Sequence, residues 1–175
     1  MNSLNNSLDN IFNDRGYLFI VEDILNNQYF TEIKRCKHHG MNRLDHSLRV
    51  SYYSYLLAKK LGLNAVEIAR GGLLHDFFVT EDLSARKQRF SMFFHPYVSL
   101  KNASYYFDLT DREKDIIITH MFPSLPHRIP RYMESWIVSL VDKIVATYEF
   151  YCSYGKNYVY KLSNMYVILL ILFRW

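Results

Sequence analysis

The sequence predicts an all-α fold, and three observations predict it. Glycine and proline number only 6 and 4 among 175 residues, too few for the tight turns of a sandwich or barrel. Apolar residues recur with helical spacing in several segments. Two of those segments open on capping-box patterns, and no segment reads as a strand. Half of the residues are apolar and 17% are aromatic, enough for a sizeable core. The length predicts one main domain, over 35–151, preceded by an arm and helix over 1–34 and followed by a tail of unassigned structure over 152–175.

The elements follow in order. Residues 1–16 are Asn-rich and polar, consistent with a loose arm or a short capping helix. From 17 to 37 a helical rhythm places Leu18, Val21, Ile24 and Leu25 on one face, until Gly40 breaks it. Residues 44–61 predict a helix with Leu48, Tyr52, Leu56 and Leu57 toward the core, ended by Gly62. Asn64-Ala-Val-Glu67 predicts a capping box, with Glu67 reaching back to the cap, and a helix to about residue 78. Gly71-Gly72 inside that helix predict close approach of another element, since each glycine costs ~1 kcal/mol against alanine. The polar stretch 80–92 reads as a loop, and a helix over about 97–107 follows. Thr110-Asp-Arg-Glu113 is a second capping box, opening a helix that Pro123 must end. Residues 121–130 hold three prolines and predict a loop, and 133–151 predict a strongly apolar helix.

Composition narrows the function. A net charge of +4 suits an anionic ligand, but no block of Lys and Arg marks a nucleic-acid duplex as partner. Cys36 and Cys152 have no metal-binding spacing and cannot form a disulfide framework, which predicts a reducing, cytoplasmic setting. The first 30 residues carry Asp14, Glu22 and Asp23 and no basic start before an apolar stretch, so no signal peptide is expected. The apolar run 166–173 falls far short of the ~18–20 residues of a membrane span.

The chemistry-bearing residues come in a fixed order: His46, His75-Asp76, His95, His120, Asp142. Four imidazoles and two carboxylates exceed what one small ion needs and suit two ions sharing a bridge. This mixture favours borderline first-row cations such as iron, manganese or zinc. Two such ions can clamp a phosphoryl group and generate hydroxide at neutral pH. Helix rise lets the set converge. His46 lies ~22 Å before the turn at Gly62, and His75 about 17 Å after it, so antiparallel packing returns them to one level. His95 and His120 flank a second helical hairpin in the same way, and Asp142 crosses that end from mid-helix. Asp142 has apolar Val138 and Val145 a turn away; a carboxylate buried there without a partner would cost several kcal/mol.

Those residues, with Ala69-Arg-Gly-Gly-Leu-Leu-His-Asp76 around the doublet, resemble the HD superfamily of metal-dependent phosphohydrolases. The resemblance covers roughly 35–150. His39-Gly40, Asp45-His-Ser-Leu48, His95-Pro96, Leu100-Lys-Asn-Ala103, His120-Met121 and Leu140-Val-Asp-Lys143 carry it further, toward small bacterial HD-domain proteins with six ligands. It implies that His46, His75, Asp76 and Asp142 hold a first divalent ion. Asp76 would bridge to a second, completed by His95 and His120. It also implies that His75 and Asp76 form the catalytic pair, with a hydroxide between the ions attacking phosphorus in line. The expected cofactors are two divalent ions, iron or manganese first, with zinc, cobalt, nickel or magnesium as alternatives. No GYP motif is present, so the cyclic-dinucleotide substrate of that branch is not implied, and the tail after Tyr151 matches no family pattern.

Several readings stay open. The alternative for His95 and His120 is that they are hydrogen-bonded core or substrate-binding histidines in a one-metal protein. His39 is either a phosphate contact at the site mouth or structural, and Lys101 and Arg70 either reach an anionic substrate or pair at the surface. His38 and His127 read as solvated loop residues, and Tyr52-Tyr53-Ser-Tyr55 as core and rim. The leading function is a phosphohydrolase acting on a nucleotide-like or other small phosphoester. The alternatives are a non-catalytic HD-fold nucleotide sensor and a membrane-associated scaffold. The apolar tail is expected to be a packing contact or a homodimer contact.

Overall fold

The computed structural model describes residues 2–38, 41–84 and 90–154. Three helices open the chain: α1 (Asn2–Asn13), α2 (Arg15–Leu25) and α3 (Gln28–Thr31), followed by a 3-10 turn at Glu32–Arg35. Two-residue strands β1 (Lys37–His38) and β2 (Met41–Asn42) pair antiparallel just before α4 (Arg43–Leu61). Then come α5 (Ala65–Leu74), a 3-10 turn at Thr80–Asp82, α6 (Ser91–Tyr106), α7 (Asp111–Thr119) and α8 (Met133–Tyr154). The class is all-α, as the composition predicts.

Side-chain caps set most boundaries. Asp14, Asn42, Asn64 and Thr110 each accept a hydrogen bond from the backbone N–H three residues on, at 3.0, 2.8, 3.1 and 3.2 Å. At Thr110 the box is complete, because Glu113 Oε2 accepts from the Thr110 N–H at 2.8 Å. At Asn64 the box is only half formed: the Asn64 N–H goes to Glu134 Oε1 on α8 at 3.1 Å, while Glu67 meets the Asn64 side-chain amide and Arg112. A tertiary contact has displaced the local one. Gly62 ends α4 in the left-handed region at φ 67°, a conformation that a side chain would strain.

Two predicted boundaries differ. Helix α5 stops at Leu74 rather than near 78, because the His75 Nδ1–H donates to the Gly72 carbonyl at 2.7 Å and takes the acceptor that another turn would need. Helix α6 begins at Ser91 rather than near 97. Phe90 offers no side-chain cap, so no cap signal marks its start, and Pro96 is accommodated in its second turn. His95 therefore lies inside α6 instead of preceding it.

Helix α4 is central, packing on α5 and α8; α5 also packs on α7 and α2. The N-terminal helices are not loose: Ile11, Tyr17, Val21 and Ile24 are fully buried in one core with Leu73, Leu74 and Phe77. A second core, with Val50, Ile68, Ile116, Val138 and Val141, joins α4, α5, α7 and α8. The diglycine explains how α5 fits between its neighbours. A Cβ at Gly72 would lie 3.1 Å from the Ser51 Cα on α4, and one at Gly71 would lie 2.9 Å from Ile116 Cδ1 on α7. Gly72→Ala should therefore lower the melting temperature. It gains ~1 kcal/mol of helix propensity but forces two backbones apart, at about 1–3 kcal/mol. A variant melting at or above wild type would show that the contact has slack.

No described helix is long and apolar enough to cross a membrane. The tail 155–175 and His39 lie outside the described residues.

Candidate metal centre

The packing of α4, α5, α6, α7 and α8 brings all six predicted ligand residues to one place. His46 is in the first turns of α4, His75 caps the end of α5, and Asp76 follows it. His95 is in α6, His120 caps the end of α7, and Asp142 lies midway along α8. All six are buried. They form two triads, His46–His75–Asp142 and Asp76–His95–His120, each with its ligand atoms within 4.8 Å of one another.

The distances within each triad fit a shared ion. Ligand atoms about 2.1 Å from a first-row cation stand about 3 Å apart when adjacent and about 4 Å when opposite. Asp142 Oδ1 lies 3.0 Å from His46 Nε2 and 3.6 Å from His75 Nε2. Asp76 Oδ1 lies 3.3 Å from His95 Nε2 and 3.8 Å from His120 Nε2. The other Asp76 oxygen is 4.0 Å from His75 Nε2, so this carboxylate faces both triads.

Each imidazole is tethered through Nδ1, leaving Nε2 toward the centre. His75 donates to Gly72 O at 2.7 Å, His95 to Ser91 O at 2.9 Å and His120 to Ile117 O at 2.7 Å. His46 Nδ1 is 2.8 Å from Glu149 Oε2. At His75, His95 and His120 these partners select the tautomer whose lone pair points inward, as metal-binding histidines require. Two observations show that the donor set suits cations. His75 Nε2 is buried with no hydrogen-bond partner among the described residues. His95 Nε2 and His120 Nε2 sit 2.8 Å apart although both rings already donate through Nδ1, so two lone pairs face each other unless a positive charge lies between them.

Electrostatics divides the site. Burial holds His95 below the usual histidine range. Burial, reinforced by His95 and His75, pushes His120 down to about 3. These rings are neutral and ready to ligate. At His46 burial also lowers the pKa, but the hydrogen bonds and charges of Asp142 and Glu149 outweigh it and raise the value to about 10. Burial pushes Asp142 up, yet its hydrogen bond to His46 and the nearby His75 ring prevail and hold it well below the usual carboxylate range.

A cleft of about 370 Å³ opens over the centre, lined by Asp76, His95, His120 and Asp142 together with Arg43, Phe78, Met121, Ser124, Lys143 and Thr147. His46 and His75 lie behind this surface. The Arg43 guanidinium stacks 3.8 Å from the centre of the Phe78 ring, donates to Phe78 O at 2.6 Å and places Nε 3.9 Å from Asp76. Lys143 donates to His120 O at 2.8 Å and stands 3.8 Å from Asp142, and burial lowers its pKa.

The expected substrate contacts fare differently. Arg70 is ion-paired with Asp23 at 2.6 Å and Glu113 at 3.0 Å, joins α5 to α2 and α7, and does not line the cleft. Lys101 is exposed on α6 and does not line the cleft, because six residues of helix turn it about 120° from His95. His127 is exposed and 3.0 Å from the Tyr97 hydroxyl. Arg43, Lys143 and Glu149 were not singled out from the sequence as site residues. Arg43 lies three residues before His46, Glu149 seven after Asp142 and Lys143 directly after it; helical spacing alone would place the first two on the same faces as the ligands.

A family model described as HD domain matches residues 43–147. No curated protein and no solved structure matches the chain.

Proposed function

The chain belongs to the HD domain family, and on that premise we propose that it is a metal-dependent phosphohydrolase acting on a nucleotide-like or other small phosphoester. One observation carries the reading: two buried His/His/Asp triads stand side by side beneath a single cleft, with the Asp76 carboxylate of one 4.0 Å from the His75 ring of the other. His46, His75 and Asp142 would hold one divalent ion and Asp76, His95 and His120 the other. The hard–borderline donor mix favours iron or manganese. Ions bound there would supply Lewis acidity toward phosphoryl oxygens and acidify a water for attack.

The protein's own groups do the rest. Arg43 and Lys143 place positive charge on the cleft wall, where a phosphoester's anionic oxygens would lie. Stacking on Phe78 fixes the Arg43 plane, so its orientation is set before substrate arrives. Phe78 and Met121 keep part of the wall apolar and thin the water around the reacting phosphorus. Ser91, Ser124 and Thr147 offer hydroxyls to the remainder of the substrate. Retention of all six ligand residues supports an enzyme over a non-catalytic sensor.

Metal analysis of protein purified with and without air, followed by a panel of phosphomonoesters, phosphodiesters and dinucleoside polyphosphates, tests the reading. Bound first-row metal and hydrolysis of at least one class are expected. Protein free of metal and inert toward all three classes would refute it.

Metal uptake should strengthen with pH. In the metal-free chain His46 has its pKa raised to about 10 from an unperturbed 6.5, so a binding ion must displace a proton over the whole neutral range. Titrations at pH 6 and pH 8 should show tighter binding at pH 8 with proton release into the buffer; equal affinity without release would contradict a protonated His46.

A further inference from the structure

Four histidines face the centre, and three are tethered by a backbone carbonyl three or four residues earlier in their own helix. His46 differs. Its Nδ1 meets Glu149 Oε2 at 2.8 Å, 103 residues away on α8. Glu149 is fully buried, and its other oxygen accepts from Arg49 Nη1 at 2.8 Å, on α4 one turn beyond His46. Asp142 takes the opposite ring nitrogen from the same helix α8, so two carboxylates two turns apart grip one imidazole at both ends.

We propose that Glu149, anchored by Arg49, is a positioning residue for the His46 metal site. It holds the proton on Nδ1, aims Nε2 into the triad and makes that imidazole a more basic ligand than its three carbonyl-tethered counterparts. The inference rests on the metal reading above. A carboxylate behind a ligating histidine orients the ring and strengthens its donation, and its loss typically weakens metal binding about 10–100-fold. A helix-joining role alone would not require charge here: a buried ion pair is a poor stabiliser compared with apolar side chains of the same volume. The tether also makes this site depend on the register of α4 against α8, whereas the other three rings are set within single helices.

Cobalt(II) titration followed by visible absorption tests the proposal, with His46→Ala marking which transition belongs to the His46 site. Glu149→Gln alone leaves the buried Arg49 charge facing a neutral amide, so the decisive variant is the double Arg49→Met/Glu149→Gln, which removes both buried charges together. Its folding is checked by circular dichroism and thermal melting. The expected result is a folded chain whose His46 site binds cobalt about 10–100-fold more weakly with an altered spectrum, while the Asp76–His95–His120 site keeps its affinity. A folded double variant with wild-type cobalt affinity and spectrum at both sites overturns the proposal and leaves the metal reading intact. If the double variant does not fold, Glu149→Asp decides, since it keeps the charge and shortens the reach. Weakening confined to the His46 site supports the proposal, and unchanged binding overturns it. A wild-type chain that takes up no cobalt overturns the metal reading and this proposal together.

Discussion

Asp76→Ala is expected to abolish hydrolysis and to strip metal from both triads. One Asp76 oxygen is 3.3 Å from His95 and 3.8 Å from His120, and the other is 4.0 Å from His75 and 3.9 Å from Arg43. Without it the second triad is reduced to two neutral imidazoles, too weak to hold a divalent ion against solvent. The buried Arg43 guanidinium would then face the first triad with its nearest counter-charge removed, repelling a cation there as well. Loss of one preorganised charge at a reacting centre costs on the order of 10²–10³-fold in rate, and loss of the ions should cost more. Metal content and turnover, measured beside a melting curve, check the prediction. His127→Ala is the control, because that residue is exposed and meets the Tyr97 hydroxyl at 3.0 Å, away from both triads. Equal losses from the two substitutions would show that Asp76 is not the shared ligand.

His95→Ala should lower the metal content from two ions per chain to one and remove most activity. His95 completes only the Asp76–His95–His120 triad, and it lies in the cleft wall rather than behind it. Its removal leaves His46, His75 and Asp142 untouched. The neutral form favoured by burial makes it a ligand without proton competition, so its loss should be visible at any pH near neutrality. Stoichiometry in wild type and variant is the deciding measurement. A single ion in both, with similar turnover, would replace the binuclear mechanism with a mononuclear one.

The fold class and the convergence of the six candidate residues were legible because both rest on local rules. Caps at Asn64 and Thr110 and the stop at Gly62 are written in single residues, and helix rise converts the spacing from His46 to His75 into proximity. What stayed hidden depends on tertiary contact. The half-formed box at Asn64 follows from Glu134 arriving from α8, and no local pattern announces it. The early start of α6 was masked by Pro96 and by the lack of a cap at Phe90. Arg70 looked available because its partners Asp23 and Glu113 are 47 and 43 residues away. Glu149 and Arg43 were missed although helical periodicity aligns them with Asp142 and His46. A search for metal ligands stops at the side chains that touch the ion and overlooks those that hold them.

Helices α5 and α7 both finish at the centre, each on a histidine that serves as its C-cap. Their peptide dipoles therefore converge with the negative poles inward, each equivalent to about half an elementary charge. Added to Asp76 and Asp142, this field makes the inner face of the cleft attractive to cations and opposes the positive charge that Arg43 and Lys143 place on its wall. Lys143, donating to the His120 carbonyl, answers part of it. On the proposed function, the field would set an order of events: cations would load first and turn the inner face positive before an anionic substrate enters. Inorganic phosphate should accordingly leave the melting temperature of metal-stripped protein unchanged and raise that of metal-loaded protein.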